Sequence, residues 1–281
     1  MKEPVPLLSI VVATKNARDW LVPLLAEFAG RHMADVEMVV VDGASTDGTP
    51  EVLESAAAGL SEHALRWISR PDSGINEAWD RGVALARGEW VLFMGADDRL
   101  GLPQEWEKVR CELAAAELRT GVVAGAVEMT STAGASLGVV RPVMDDRFLA
   151  LNTLPHQGVF HRRSLWAEHG GFDPHFPGCG DYEFLLRLHV RGVQFRLVPE
   201  MTTVRMTFGG VSKHDPLRNL REYARAQTIH GVRSFRIVWW AAWSRAQVRR
   251  CGRAILGAKR TDRWADRIRR WRGLEPVWTV K

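Results

Sequence analysis

Cysteine is scarce: Cys111, Cys179 and Cys251 are the only three in 281 residues, far apart and with no C-x-x-C pair. That excludes a disulfide framework, argues against structural zinc, and leads us to expect a reducing, cytoplasmic setting. Long apolar runs are missing too, since no segment approaches the roughly 20 residues that cross a bilayer. The opening MKEPVPLLSIVVATKN carries Glu3, Pro4 and Pro6 before a short apolar run, and does not read as a secretory signal. Internal repeats and low-complexity tracts are absent. So is the G-x-G-x-x-G that a simple dinucleotide site needs after its first strand. What remains, 46% apolar and 25% charged, is the make-up of an ordinary globular chain able to bury a full core.

Charge is unevenly spread. Residues 213–281 hold 18 Lys/Arg against 5 Asp/Glu, whereas residues 1–212 hold 20 against 28. Trp239, Trp240, Trp243, Trp264, Trp271 and Trp278, half of the tryptophans, also fall in that last quarter. We therefore expect an acidic body over 1–212, divided near residue 100, and a basic, Trp-rich helical extension over 213–281.

The first hundred residues alternate strands and helices. LLSIVV (7–12) and VEMVVV (36–41) are continuous apolar runs, as in strands covered on both faces. A helix near 17–30 follows the first, with Leu21, Leu24, Leu25 and Phe28 on one side. After the second, Thr49-Pro50 reads as an N-cap and first helical residue. LRWIS (65–69), a helix over 74–87 and WVLFM (90–94) complete a β-α-β-α-β-α-β order, which implies a doubly wound, mostly parallel α/β sheet. Beyond it the pattern predicts a helix over 103–119, a strand over 122–127, a loop-rich region through 180, a helix opening at Asp181 and closed by Gly192, a strand over 193–198, and helices from 216.

Ligands of such sheets sit at the carboxyl ends of the strands. There the chain carries Ala13-Thr14-Lys15-Asn16, Asp42-Gly43-Ala44-Ser45, Arg70-Pro71-Asp72-Ser73-Gly74 and Ala96-Asp97-Asp98. This edge is acidic, so it can hold a diphosphate only with a cation between. Adjacent carboxylates repel unless a cation sits beside them. Few, hard oxygen ligands suit Mg²⁺ or Mn²⁺, which complete their shell with phosphate and water. Alone, Asp97-Asp98 could equally start a turn; three other polar strand ends favour a site.

SIVVATKN, VVVDGASTDGT, RPDSGINEAWDRGVALARGEWVLFMGADD and GDYEFLLRL together resemble the family 2 glycosyltransferases of the GT-A fold, in particular those that assemble bacterial surface polysaccharide. HQGVFHRRSLWAEHGGFD (156–173) and FGGVS (208–212) extend the likeness to about residue 212. The resemblance implies a metal-dependent, inverting transfer from a nucleotide-diphospho-sugar, UDP-linked by preference, to a glycan or polyprenyl-linked acceptor. It implies that Thr14, Asn16 and Asp42 contact base and ribose, and that Asp72 and Gly74 line the nucleotide pocket. Asp98 would ligate the Mn²⁺ or Mg²⁺ directly, with Asp97 beside it and nearer the ribose. His214 is a further metal or phosphate ligand in this reading. Asp181 matches the general base, with Glu183 as its substitute, and His156 falls on the acceptor or donor-sugar side. One departure stands out: Asp80 occupies a place where the family usually has Asn.

Other readings stay open at this point. Asp181 could be only a helix cap, and His156 only a buried ring. A nucleotidyltransferase also joins a nucleotide fold to acidic metal ligands, but it needs a basic phosphate-gripping loop, for which only Lys15 and Arg18 offer themselves. The extension could lie on an anionic membrane through Ile237, Trp240, Ala241, Ser244, Val248 and Ile255, with Arg245, Arg249 and Arg253 as a second stripe. It could instead pack on the body with a solvated basic face, or make the chain a non-catalytic membrane adaptor. Nucleic acid is the least favoured partner.

Overall fold

The computed structural model describes residues 5–61, 63–131, 134–207, 216–232 and 236–271. Four strands form a parallel half-sheet: β1 (Leu8–Thr14), β2 (Val36–Asp42), β3 (Leu65–Ser69) and β4 (Trp90–Gly95), in the order β3-β2-β1-β4. Alternation along each strand decides which layer a side chain joins. Ile10, Val12, Met38, Val40, Leu92 and Met94 point one way, against helices α1 (Arg18–Arg31), α2 (Thr49–Gly59) and α4 (Pro103–Ala114). Val11, Val39, Val91 and Phe93 point the other way, against α3 (Ile75–Leu85) and α6 (Gly180–Val190). Each large side chain removed from water contributes about 1.5–3 kcal/mol, so both faces anchor the strands.

On the far side of β4 the sheet becomes mixed. β8 (Val159–Arg162) runs antiparallel between β4 and β6 (Thr120–Thr130). β9 (Gln194–Thr207) pairs parallel with β6 and antiparallel with the short β5 (Arg99–Leu100), and β7 (Ser136–Val140) hangs on β6. A five-residue helix, α5 (Leu165–His169), precedes α6. The described part of the extension is three helices: α7 (Pro216–Ile229), α8 (Arg236–Leu256) and α9 (Ala258–Trp271).

Four local expectations shift. The residue before α2 is Gly48, at φ 90°, and Thr49 is already helical, because Asp47 accepts both the Thr49 N–H (3.1 Å) and its hydroxyl (2.6 Å). The fourth helix stops at Ala114, and the Arg162 guanidinium holds the carbonyls of Ala116, Glu117 and Thr120 in the turn beyond it. The last strand outruns 193–198: its register jumps from Val198 to Thr202 past Pro199, which has no N–H for the ladder, and then resumes. Asp181 is not the cap of α6; Cys179 precedes the helix and Asp181 lies within its first turn.

Candidate active site

The carboxyl ends of β1, β2 and β3 are knitted into one polar floor. Asp42 is fully buried; its Oδ2 accepts the Ser45 N–H (2.9 Å) and the Ser69 hydroxyl (2.6 Å), and its Oδ1 accepts the Ser45 hydroxyl. Of the roughly four acceptor positions on a carboxylate, three are thus taken, leaving little for a ligand. Asn16, at φ 49°, receives the Thr46 N–H on its Oδ1 (2.9 Å) and donates its own N–H to Ser45 Oγ (2.6 Å). Thr14 is buried with a hydroxyl that has no partner among the described residues. Asp72 arches over the end of β2: a Cβ on Gly43 would come within 2.7 Å of its Oδ2. Its Oδ1 accepts the N–H of Gly74 (3.0 Å), which leads into α3 at φ 139°.

At the end of β4 both acids lie over one glycine. A Cβ on Gly95 would sit 2.7 Å from Asp97 Oδ1 and 3.5 Å from Asp98 Oδ2. Asp98 is 2% exposed and its Oδ2 accepts the Gly95 N–H at 2.8 Å. Burial pushes its pKa up to about 7; the Gly95 N–H opposes that shift and the neighbouring Asp97 charge adds to it. Asp97 is half-buried, and its carbonyl accepts the Thr207 hydroxyl (2.8 Å), which ties the acids to the end of β9. A buried carboxylate disfavoured as an anion is what a cation beside it would correct. Among the described residues no group of three or more His, Cys, Asp or Glu could hold a metal alone. The donor set therefore fits a hard divalent ion that takes one or two carboxylates and completes its shell from substrate and water. His214 lies outside the described residues, as does FGGVS.

Asp181 reaches this edge through a contact between helix ends. A Cβ on Gly180 would meet Asn76 Nδ2 at 2.5 Å, so the first turn of α6 rests against the first turn of α3, just past Gly74. Asn76 in turn donates to the Phe176 carbonyl (3.1 Å). The Asp181 carboxylate is half-buried and its Oδ2 accepts the Asn152 Nδ2–H at 2.8 Å. Asn152 cannot flip freely, because its Oδ1 holds the Leu154 N–H (3.1 Å).

Glu183 has other commitments. It is 3% exposed, and pairs with Arg187 (3.0 Å) and with His230 Nε2 (2.8 Å). His156 is buried with its ring 4.9 Å from Trp79 and stacked on Phe93 at 5.2 Å. Burial depresses its pKa, and the Asp181 charge offsets that only in part. Neither ring nitrogen has a partner among the described residues. Asp80 accepts the Trp166 indole N–H (2.8 Å) and the Phe172 N–H (3.1 Å), and burial raises its pKa. Its work is to tie α3 to the 166–172 segment.

Asn152, Ser45, Ser69, Asn76 and Thr207 were not expected at the site. Ser45 and Asn76 lie inside quoted motifs and could have been suspected; the others carry no signal in spacing or composition, since their partners are distant in sequence.

A parallel half-sheet, an acidic β4 end and a mixed second lobe are the GT-A architecture of glycosyltransferases. The described fold matches S. aureus TarS residues 1–349 in complex with UDP-GlcNAc at TM-score 0.63, with 17% identity, over 81% of this chain and 67% of that one. It also matches the mannosyltransferase PcManGT from Pyrobaculum calidifontis in complex with GDP-Man and Mn²⁺ at TM-score 0.60, with 19% identity, over 89% and 76%. Residues 9–127 match Glycosyl transferase family 2. A Mycobacterium tuberculosis "PGL/p-HBAD biosynthesis glycosyltransferase" is 33% identical over 186 residues, 65% of this chain and 69% of that protein. A second M. tuberculosis glycosyltransferase is 30% identical over 249 residues, 80% and 84%. The chain belongs to glycosyltransferase family 2 and is a glycosyltransferase enzyme, which disposes of the nucleotidyltransferase and adaptor alternatives as descriptions of its class.

Proposed function

We propose that the enzyme transfers a sugar, with inversion, from a nucleotide-diphospho-sugar to a hydroxyl of a glycan or polyprenyl-linked acceptor in bacterial polysaccharide or glycolipid assembly, at the inner face of the plasma membrane. The observation that carries this reading is the contact of Gly180 with Asn76, which sets the helix end bearing Asp181 against the nucleotide-side helix α3. The fold likeness to a protein in complex with UDP-GlcNAc, and to another in complex with GDP-Man and Mn²⁺, supports the donor class, of which a UDP-sugar is our preferred member.

In this mechanism Thr14, Asn16, Asp72 and Gly74 hold the nucleoside, with Asp42 bracing their loops. Asp97 and Asp98 would hold a divalent cation, Mn²⁺ or Mg²⁺, which when bound neutralises charge developing on the departing diphosphate. Asp181 takes the proton of the acceptor hydroxyl. That oxygen bonds to the anomeric carbon on the face opposite the diphosphate, whose C–O bond breaks, and Asp181 ends protonated. Asn152 keeps the carboxylate aimed. A positioned base of this kind is worth roughly 10²–10⁴-fold in rate.

The test is Asp181→Asn, assayed with a panel of nucleotide sugars by release of free nucleoside diphosphate. Donor binding is expected to persist while transfer falls by roughly 10²-fold or more. Normal transfer by the variant puts the base elsewhere, and release of pyrophosphate instead of nucleoside diphosphate overturns the reaction class.

A further inference from the structure

Helix α8 presents its apolar residues to solvent. Ile237 is 78% exposed, Trp240 57%, Val248 56% and Ile255 80%, spaced so that they share one side of the helix. No described residue of α8 is buried. Its opposite side makes the contacts: Trp239 Nε1–H donates to the Leu220 carbonyl of α7 (2.9 Å), and the Arg221 guanidinium lies 5.6 Å from the Trp243 ring centre. Arg249 and Arg253 donate to Asp262 of α9 at 2.8 and 3.2 Å. Two members of the expected basic stripe are therefore tied to α9 across the α8–α9 hairpin, which turns at Gly257 (φ 79°). Among the described residues nothing covers the apolar row; the other side of α8 is the one packed on α7 and α9. On α9, Trp264 and Trp271 are exposed as well, at 51% and 87%.

Charge says what kind of surface fits. Residues 236–271 contain eleven Lys/Arg and two Asp, and both acids are turned inward: Asp262 is held by the two arginines and Asp266 is 0% exposed. The outer surface thus combines arginines with no ion pair among the described residues, such as the exposed Arg245 of α8 and Arg267 of α9, with Trp, Ile and Val. A second copy would bring like charge onto like charge. Nucleic acid would engage the arginines and leave Ile237, Val248 and Ile255 in water. An anionic bilayer surface satisfies both, taking the apolar row among acyl chains and the arginines at phosphate level. No described helix is long and apolar enough to cross a membrane, so this contact lies along the surface.

We propose that the outward side of α8 docks the enzyme on an anionic lipid bilayer, with the α8–α9 hairpin lying in the interface. This deepens the proposal of a membrane-side acceptor and rests on it for its purpose. α7 carries the coupling: Glu222 accepts the Gly178 N–H (2.9 Å) just before α6, and Gln227 donates to the Tyr182 hydroxyl (3.2 Å) beside Asp181. The docked hairpin is one helix away from the catalytic helix.

The experiment sediments the full chain with vesicles of phosphatidylglycerol mixed with phosphatidylcholine, and with phosphatidylcholine alone, while nucleotide binding is followed in parallel. Binding is expected only to the anionic vesicles, weakening as salt is raised. Trp240→Ser with Val248→Ser is expected to weaken it by roughly tenfold or more. Arg245→Glu with Arg267→Glu is expected to do the same through charge. Both pairs are exposed, so circular dichroism and nucleotide binding should match the parent. The proposal fails if the parent ignores anionic vesicles, or if the apolar double variant binds them undiminished. It fails equally if the parent sediments as a stable dimer that the variant dissociates, or if an oligonucleotide displaces it from the vesicles. Vesicle binding needs no sugar donor, so its loss leaves the transferase reading intact, and the reverse also holds.

Discussion

Asp98 combines near-complete burial with a pKa raised to about 7, and its Oδ2 is held by a backbone N–H in place of a side-chain cation. If a divalent cation completes this site, Asp98→Ala is expected to lower cation-dependent turnover by roughly a hundredfold or more. EDTA should reproduce the loss in the parent; full activity in EDTA would remove the cation from the reaction. Asn152 offers a subtler check. Its amide donates to Asp181, the proposed base, and a hydrogen bond to a charged group contributes about 1.5–3 kcal/mol. Asn152→Ala is expected to reduce kcat by roughly tenfold or more with the donor KM little changed. Asn152→Asp should be worse, because a second carboxylate then faces Asp181. A change confined to KM would make Asn152 a binding residue instead.

At the scale of elements, the site depends on how α3 is pinned. Asn76 holds its start against α6, and Asp80, one turn on, holds it to the 166–172 segment. Asp80→Ala leaves the Trp166 indole and the Phe172 amide without their acceptor. Each unsatisfied group costs about 1–3 kcal/mol, so the urea midpoint should fall with the slope unchanged. An unchanged midpoint would show that water replaces the carboxylate. The departure from the family's usual Asn thus has a structural meaning here: both Asp80 oxygens face the Phe172 N–H, at 3.1 and 3.2 Å, where an Asn would turn an NH₂ donor toward it.

For the whole molecule, the two lobes share one sheet, and the proposed site at its edge draws on both. A nucleotide sugar that binds only the folded state stabilises it by mass action, by about 2.7 kcal/mol at a hundred times its Kd. Thermal unfolding with a panel of nucleotide sugars, each with and without Mn²⁺, is expected to rise most for the true donor and only with the cation. A rise of equal size without Mn²⁺ would separate donor binding from the metal.

The sequence by itself carried the alternation of strands and helices, the polar strand ends, the paired acids after WVLFM and the acid opening the LLRL helix. These are local: apolar runs mark buried strands, and the residues just past a parallel strand lie at the binding edge. Tertiary structure alone decided the rest. Asn76 reaches Phe176 across 100 residues, Ser69 reaches Asp42 across 27, and Asn152 reaches Asp181 across 29. Such pairs leave no periodic trace, because packing across the sheet brings them together and chain spacing does not. The same holds for α8: its composition spoke of apolar and basic rows, but only the packing of α7 and α9 decided which row faces outward.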